Sequence, residues 1–184
     1  ALSRGWYGNR GPEVDEVTTF ASLNITNLAT QEHWVEEIPA DVRCLQEVRC
    51  SKAAMRRYDG RWRKQFGDET RVVWGAEPPR MPNGVVGGEV TQHGGVATLS
   101  SLPATATAAS FEAGVWETSR IVDVLVQLGK GMFVQVLNVY GYATSNPGAR
   151  ASTECLLNAA LQRAALMAPG PKILMGDING DPAE

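Results

Sequence analysis

The sequence has no long apolar run, few cysteines and few histidines, and each shortage excludes a class of protein. No stretch approaches the roughly 18 apolar residues of a membrane-spanning helix, so we expect no membrane partner. The opening residues, Ala1 to Trp6, lack the apolar core of a signal peptide. The 3 cysteines and 2 histidines show no zinc-ligand spacing, and an odd cysteine count argues against a disulfide framework. These shortages favour an intracellular protein in a reducing compartment.

Net positive charge is also missing, since the formal net charge is -3 over 184 residues. A globally basic surface for nucleic acid is therefore excluded. The charge is uneven, however: ten of the 17 basic residues lie between Arg43 and Arg80, where only five acids occur. This basic run is either a solvated helix face or a surface that contacts phosphate groups, and the sequence leaves both interpretations open.

The spacing of apolar residues predicts a mixed α/β chain in which helices cover the sheets. The apolar runs Ile121–Leu128 and Met132–Tyr140 flank Gly129-Lys130-Gly131 and predict a hairpin. Glu77–Gly88 is rich in proline and glycine and predicts a loop. Strands are further expected at residues 18–25, 42–48, 71–74, 95–100 and 172–178. Helices are expected at 29–38 (Trp34 and Ile38 on one face), at 52–66 after a capping Ser51, and at 152–167 after a turn that begins at Asn146-Pro147-Gly148.

Polar side chains stand at the ends of several predicted strands. Asn24 ends the first strand and Glu47 the second. Asn138 and Tyr140 end the hairpin, and Asp177 and Asn179 follow the last strand. In layered α/β folds such strand ends build the functional site. Their side-chain oxygens are hard ligands, which suit Mg²⁺ or Mn²⁺ and, through the cation, a phosphate substrate.

Five segments, in this order, resemble segments of the endonuclease/exonuclease/phosphatase superfamily. Ser22-Leu23-Asn24-Ile25 is similar to its first strand, which ends in a metal-site Asn, and Asp41 to Glu47 is similar to its D-x-x-x-L-Q-E segment. The others are Gly94-Gly95-Val96-Ala97, a glycine-rich strand start; Asn138-Val139-Tyr140, a strand ending in a phosphate-contacting Tyr; and Met175-Gly176-Asp177-Ile178-Asn179, a G-D-x-N segment.

The resemblance implies a fold and a domain organisation. The fold is a two-layered β-sandwich core flanked by helices, a four-layer α/β-sandwich of the DNase I-like type. Residues 1–184 would form a single domain of this kind, incomplete at the C-terminus. The family carries a later S-D-H segment with a catalytic His, and neither His33 nor His93 lies in such a segment. Without that segment, we expect the chain as given to be nearly inactive. The sequence also has no initiator Met, and its last residues follow directly on a predicted strand, so both ends look like cuts in a longer protein.

The resemblance also implies roles for the strand-end residues. Glu47 and Asn24 would hold Mg²⁺ or Mn²⁺, and Asp177 would orient or deprotonate the attacking water. Asn179 and Tyr140 would donate hydrogen bonds to the phosphate. Arg120 and Asn138 are further candidates for substrate contacts. Simpler explanations stay open: Asn24 could only cap a turn, Asp177 and Asn179 could form an Asx-turn, and Tyr140 could be an ordinary strand aromatic.

The leading interpretation is a metal-dependent phosphodiester hydrolase that acts as a DNA endonuclease, either the endonuclease module of a non-long-terminal-repeat retroelement or a related DNA phosphodiesterase. Such a module is normally followed by a reverse transcriptase in one polyprotein and acts in the nucleus. A phosphatase acting on a small phosphate ester is the first alternative, because one metal and water chemistry serves both substrates. A catalytically incomplete remnant or binding module is the second alternative.

Overall fold

A computed structural model of the chain describes residues 17–78, 80–86, 89–92, 94–107, 113–129, 131–143, 148–167 and 169–179. None of the helices in these ranges is long and apolar enough to span a bilayer. The strands and helices follow in the order β1 (Phe20–Asn24), α1 (Leu28–Glu37), β2 (Val42–Gln46), α2 (Lys52–Phe66), β3 (Arg71–Trp74), β4 (Arg80–Val86), β5 (Glu89–Gln92), β6 (Val96–Ser100), β7 (Ala104–Ala106), α3 (Ala113–Trp116), β8 (Ile121–Gly129), β9 (Met132–Tyr140), α4 (Ala149–Leu166) and β10 (Lys172–Asp177).

Two four-stranded sheets make the centre of the fold, and each begins with a parallel pair. The first sheet has the order β1-β2-β6-β3, and the second has the order β10-β9-β8-β7. β1 pairs with β2 in parallel, and β10 pairs with β9 in parallel, whereas the other pairs in both sheets are antiparallel. A helix connects each parallel pair, α1 in the first sheet and α4 in the second. The carboxyl ends of two strands therefore lie side by side in each sheet.

Three apolar clusters separate four layers. The first lies between α1, α2 and the first sheet, the second between the two sheets, and the third between the second sheet and α4. All residues of β2 are buried because both faces of the strand are covered: Leu45 packs in the first cluster, whereas Val42 and Cys44 pack in the second. The layer order helix, sheet, sheet, helix confirms the fold class expected from the sequence.

Local signals explain the elements that the sequence located well. The hydroxyl of Ser51 accepts a hydrogen bond from the backbone N–H of Ala54, and α2 ends before Gly67, whose φ is 104°. Gly131, with φ 76°, lies in the turn between β8 and β9. The predicted turn residues Lys130, Asn146 and Pro147 lie outside the described residues, as does His93.

One sequence-based expectation was wrong. Residues 77–88 were expected to be a loop, but β4 and β5 form a two-stranded antiparallel sheet there. The register of this pair shifts between Arg80 and Val85, the segment that contains Pro82 and Gly84, so the breakers distort the pairing without preventing it. Trp34 and Ile38 lie on one side of α1, as expected, and line one pocket. That side is open to solvent, since Trp34 is 51% exposed, and the buried residues of α1 are Leu28 and Val35.

Candidate active site

The carboxyl ends of the two parallel pairs meet in space. The side-chain amide of Asn24, at the end of β1, donates a hydrogen bond of 2.6 Å to Oδ2 of Asp177, at the end of β10. Asn24 is exposed and Asp177 is half-buried, so this contact lies where solvent and a ligand can reach it. The structure therefore brings Asn24 and Asp177 together across the sandwich, while their chemical roles stay predictions.

Tyr140, the last residue of β9, lies in the electrostatic field of both expected carboxylates. Burial raises the pKa of Tyr140, the negative charge of Glu47 raises it further, Arg120 lowers it, and Asp177 raises it. These charges come from the ends of β2 and β10 and from the segment before β8, so three charged residues from separate parts of the chain act on one phenol. With its pKa above the ordinary value, Tyr140 stays protonated at neutral pH and can donate a hydrogen bond to a phosphate oxygen.

Glu47 is held just past the end of β2 in an unusual backbone conformation. Its φ is 58° and that of Arg49 is 49°, both in the left-handed region that non-glycine residues seldom occupy. The backbone N–H of Val48 donates to the carbonyl of Gly95 at 3.2 Å, and that of Arg49 donates to Gly94 at 2.9 Å. The glycine-rich segment before β6 thus fixes the segment that carries Glu47. The carboxylate of Glu47 forms an ion pair with the guanidinium of Arg49.

A close backbone approach positions Asp177 and Asn179 beside the end of β9. The N–H of Gly141 donates to the carbonyl of Asp177 at 2.7 Å, and Nδ2 of Asn179 donates to the carbonyl of Gly141 at 3.1 Å. A Cβ at residue 141 would overlap the backbone of Ile178, so glycine is required there. Oδ1 of Asp177 accepts from the N–H of Asn179 at 3.0 Å, which is the Asx-turn left open by the sequence. The turn uses one carboxylate oxygen and the contact with Asn24 uses the other.

Arg120 is fixed between two aromatic rings. Its guanidinium carbon lies 4.5 Å from the ring centroid of Tyr140 and 4.2 Å from that of Tyr142. Its Nη1 donates to the carbonyls of Tyr140 at 3.3 Å and Gly141 at 2.6 Å. Arg120 is therefore a rigidly held positive charge beside the phenol, and its contact with substrate stays a prediction.

Asn138 does not occupy the position expected of a substrate-binding residue. It is fully buried between the sheets, where Oδ1 accepts from Nε2 of Gln46 at 2.7 Å. Its Nδ2 donates to the carbonyls of Leu45 at 3.2 Å and Ala97 at 2.9 Å. All polar atoms of the Asn138 side chain are therefore used in joining the two sheets. The expectation that Asn138 contacts substrate is corrected, because no part of it reaches the surface.

Several members of the basic run are paired with other groups of the chain. Arg43 is 6% exposed and donates to the carbonyl of Ile38. Arg61 forms an ion pair of 2.7 Å with Glu32, and Arg71 donates to the carbonyls of residues 68 and 70. Arg61 fits the interpretation of a solvated helix face, whereas Arg43 and Arg71, on β2 and β3, make structural contacts with backbone carbonyls. Other basic residues on α2 are exposed to solvent: Lys52, Arg56, Arg57, Arg63 and Lys64.

The oxygen ligands at the site fit a hydrated hard cation. Within the described ranges no group of three or more His, Cys, Asp or Glu side chains could hold a metal ion. The donors expected from the sequence are the carboxylate of Glu47 and Oδ1 of Asn24, which also accepts from the N–H of Thr26 at 3.1 Å. A cation bound by so few protein oxygens keeps most of its water, as Mg²⁺ usually does. The pairing of Glu47 with Arg49 shows independently that this carboxylate attracts positive charge.

Sequence reasoning missed two features beside the expected ligands. Arg49 was counted only as part of the basic run, although it lies two residues after Glu47 and forms an ion pair with it. A pocket of about 420 Å³ adjoins Asn24 and is lined partly by the exposed indole of Trp34 and by Ile38. Both residues had been placed on one helix face, but nothing in the sequence indicated an opening between α1 and β1.

Comparison with known proteins gives a family and a fold. A model of the Endonuclease/Exonuclease/phosphatase family matches residues 24–184. No curated protein sequence matches the chain. Among solved structures, an AP endonuclease from Archaeoglobus fulgidus is 15% identical to this chain, with a TM-score of 0.62; the aligned region covers 90% of this chain and 59% of the AP endonuclease chain. A 3′ phosphatase, NExo, from Neisseria bound to a product DNA hairpin is 17% identical with a TM-score of 0.62, and covers 91% and 60%.

A third structure, an endonuclease/exonuclease/phosphatase from Beutenbergia cavernae, is 15% identical with a TM-score of 0.59, covering 91% of this chain and 49% of its own. At these identities the structures support the fold alone. The chain spans about three-fifths of the length of the first two. The match to the family model does not depend on the solved structures, and its range includes Asn24, Glu47, Tyr140 and Asp177. The chain therefore belongs to the endonuclease/exonuclease/phosphatase family, whose members are generally metal-dependent phosphoesterases and nucleases.

Proposed function

We propose that the chain carries the cation and phosphate site of a phosphodiester hydrolase that acts on DNA. The observation that carries the proposal is the hydrogen bond between Asn24 and Asp177, which joins the strand ends of both sheets beside Glu47 and Tyr140. Carboxylates that bind a cation, with a phenol and a guanidinium that bind phosphate, are the groups that phosphoester hydrolysis needs.

The site residues would divide the chemistry as follows. Glu47 and Asn24 would hold a divalent cation, Mg²⁺ or Mn²⁺, which supplies positive charge to the scissile phosphate when bound. Asp177, whose oxygens are held by Asn24 and by the backbone of Asn179, would orient the attacking water and take its proton. Tyr140 and Asn179 would donate hydrogen bonds to the phosphate oxygens, on which negative charge increases in the transition state.

DNA is the proposed substrate for two reasons. Exposed basic residues on α2 offer positive charge that can contact a phosphate backbone. Of the structures with the same fold, one is an AP endonuclease and another was solved with a DNA hairpin. We extend the proposal to a retroelement endonuclease, which would be joined to a reverse transcriptase and act in the nucleus.

The test is nicking of supercoiled plasmid by a protein extended along its own reading frame beyond Glu184. We expect nicking that needs Mg²⁺ and stops with chelator. Glu47→Gln and Asp177→Asn should each reduce the rate by about two orders of magnitude or more while the fold is kept. Wild-type nicking by either variant would refute the assigned roles. An early stop codon in the frame would instead favour the incomplete remnant.

A phosphatase acting on a small ester is the second candidate. It is favoured by the pairing of Arg43, Arg61 and Arg71 with other groups of the chain, which leaves less of the basic run for DNA. DNA affinity that falls steeply with salt concentration would support the nuclease. Turnover of soluble phosphate esters by the extended protein, with neither DNA affinity nor nicking, would support the phosphatase.

A further inference from the structure

Arg49 binds the carboxylate that is expected to hold the cation. Its Nη2 contacts Oε1 of Glu47, and the two side chains keep 28% and 15% of their surface exposed. Both charges are largely withdrawn from water, and the cost of dehydrating them offsets much of their attraction, so the pair is weak evidence for a role in folding stability. Its position on the expected cation ligand points to ligand binding instead.

One donor of the Arg49 guanidinium has no acceptor among the described residues. A guanidinium carries several N–H groups and no acceptor, so each N–H seeks an oxygen. Within the part of the chain that the structure describes, Nε of Arg49 is buried and has no hydrogen-bond partner. A buried donor without a partner is costly, and it is expected where a ligand brings the missing acceptor.

The surroundings of Arg49 suit an anion. Its backbone N–H donates to the carbonyl of Gly94 at 2.9 Å, and its φ of 49° holds it in one unusual conformation. On the same glycine, a Cβ would lie 3.6 Å from Nη2 of Arg120 and 3.7 Å from the ring of Tyr140. The backbone of Arg49, the guanidinium of Arg120 and the ring of Tyr140 therefore meet at Gly94, while the guanidinium of Arg49 lies on the carboxylate of Glu47.

We propose that Arg49 is a phosphate-binding residue that neutralises Glu47 while no cation is bound and turns to the substrate phosphate once a divalent cation occupies Glu47. The inference rests on the proposed function, because it requires the cation site at Glu47. A cation and a guanidinium compete for the same carboxylate. When the cation binds, the planar fork of Arg49 is released, and it matches the oxygens of a phosphate.

Binding of Mn²⁺ alone, followed by electron paramagnetic resonance on the 184-residue chain, separates this role from a structural one. Arg49→Gln removes the competing charge and should tighten Mn²⁺ binding by about two- to tenfold. Arg49→Lys keeps the positive charge and should bind Mn²⁺ as the wild type does. The matched control is Arg56→Gln, the same change at an exposed position of α2, which should leave Mn²⁺ affinity unchanged.

Binding of dimethyl phosphate at saturating Mn²⁺, followed by nuclear magnetic resonance, tests the second half of the proposal. Arg49→Gln should weaken this binding by about tenfold or more, because a charge-assisted hydrogen bond is lost. Arg49→Lys should restore part of the affinity, since an ammonium supplies charge but not the fork. Arg56→Gln should again match the wild type.

The outcomes distinguish the inference from the function on which it rests. Unchanged or weaker Mn²⁺ binding by Arg49→Gln, in a variant with wild-type circular dichroism and urea midpoint, would overturn the inference. If Arg49→Gln does not fold, Arg49→Lys decides: wild-type affinity for dimethyl phosphate would overturn the phosphate role of the fork. Glu47→Gln should lose Mn²⁺ binding. Retained Mn²⁺ binding in that variant would remove the proposed cation site, and with it both proposals.

Discussion

Replacing Asn138 by leucine should destabilise the fold without altering the surface of the candidate site. Leucine has nearly the shape of asparagine but offers no polar atom. The substitution removes three hydrogen bonds, one from Gln46 and two to the carbonyls of Leu45 and Ala97. All three join β9 of the second sheet to strands of the first, so their loss weakens the contact between the sheets.

The size of the effect follows from those bonds. At a net value of about 1 kcal/mol each, three bonds give a loss of about 3 kcal/mol in the free energy of unfolding. Gln46 adds little further penalty, because its Nε2 still donates to the carbonyl of Cys44 at 3.1 Å and to the hydroxyl of Ser22 at 3.2 Å. A small domain is stable by only about 5–15 kcal/mol, so the loss should be easy to measure.

Urea unfolding followed by tryptophan fluorescence measures the change, since Trp62 is fully buried and reports on the core. Asn158→Leu, the same substitution on an exposed face of α4, is the control and should stay within about 0.5 kcal/mol of the wild type. The double variant Gln46→Leu with Asn138→Leu should lose less than the sum of the single variants. The reasoning would be refuted by Asn138→Leu unfolding like the wild type yet binding dimethyl phosphate more weakly.

Two further predictions test the site itself. The pKa of Tyr140 in the folded state is raised above its ordinary value of about 10, so Tyr140 contributes stability that is present below pH 10 and lost as pH rises through the raised pKa. In urea unfolding, Tyr140→Phe should therefore lose less stability above pH 10 than the wild type. Glu47→Gln should lower the pH midpoint of Tyr140 titration, measured by ultraviolet difference absorbance. Gly141→Ala should lower the free energy of unfolding by about 3 kcal/mol or more, because the new Cβ would overlap Ile178. The control is Gly60→Ala inside α2, where the space around the glycine is open, and it should be neutral or stabilising by about 1 kcal/mol in the same assay.

Elements with local signals were located well from the sequence, and those that depend on distant partners were not. Ser51 and Gly67 mark the ends of α2, so its bounds follow from capping alone. β4 and β5 pair with each other across a segment that contains proline and glycine, and β7 has only three residues. Composition predicts a loop for β4 and β5 and gives no signal for β7, because in each case the partner strand decides whether the segment forms a strand.

The site was partly predictable because strand ends can be found from the sequence. Asn24 and Asp177 each end a parallel strand, and parallel neighbours bring carboxyl ends to one edge. The two-residue period of a strand could have corrected the expectation that Asn138 contacts substrate, since residues 134, 136, 138 and 140 share the face that meets the first sheet. The Glu47–Arg49 contact could not be foreseen in the same way, because both residues leave the strand conformation.

The backbone gives a reason to expect function at these strand ends that does not depend on family resemblance. Among the described non-glycine residues with positive φ, four follow the ends of β1, β2 and β10: Thr26, Glu47, Arg49 and Asn179. Such conformations cost about 1–3 kcal/mol each and persist only where the surrounding structure holds them. Here the contacts with Gly94 and Gly141 and the hydrogen bond between Asn24 and Asp177 do so. A fold that needed only stability could end these strands in ordinary turns, so the strained backbone is a reason to expect a function at these strand ends, and the cation and phosphate roles proposed for their side chains are consistent with it.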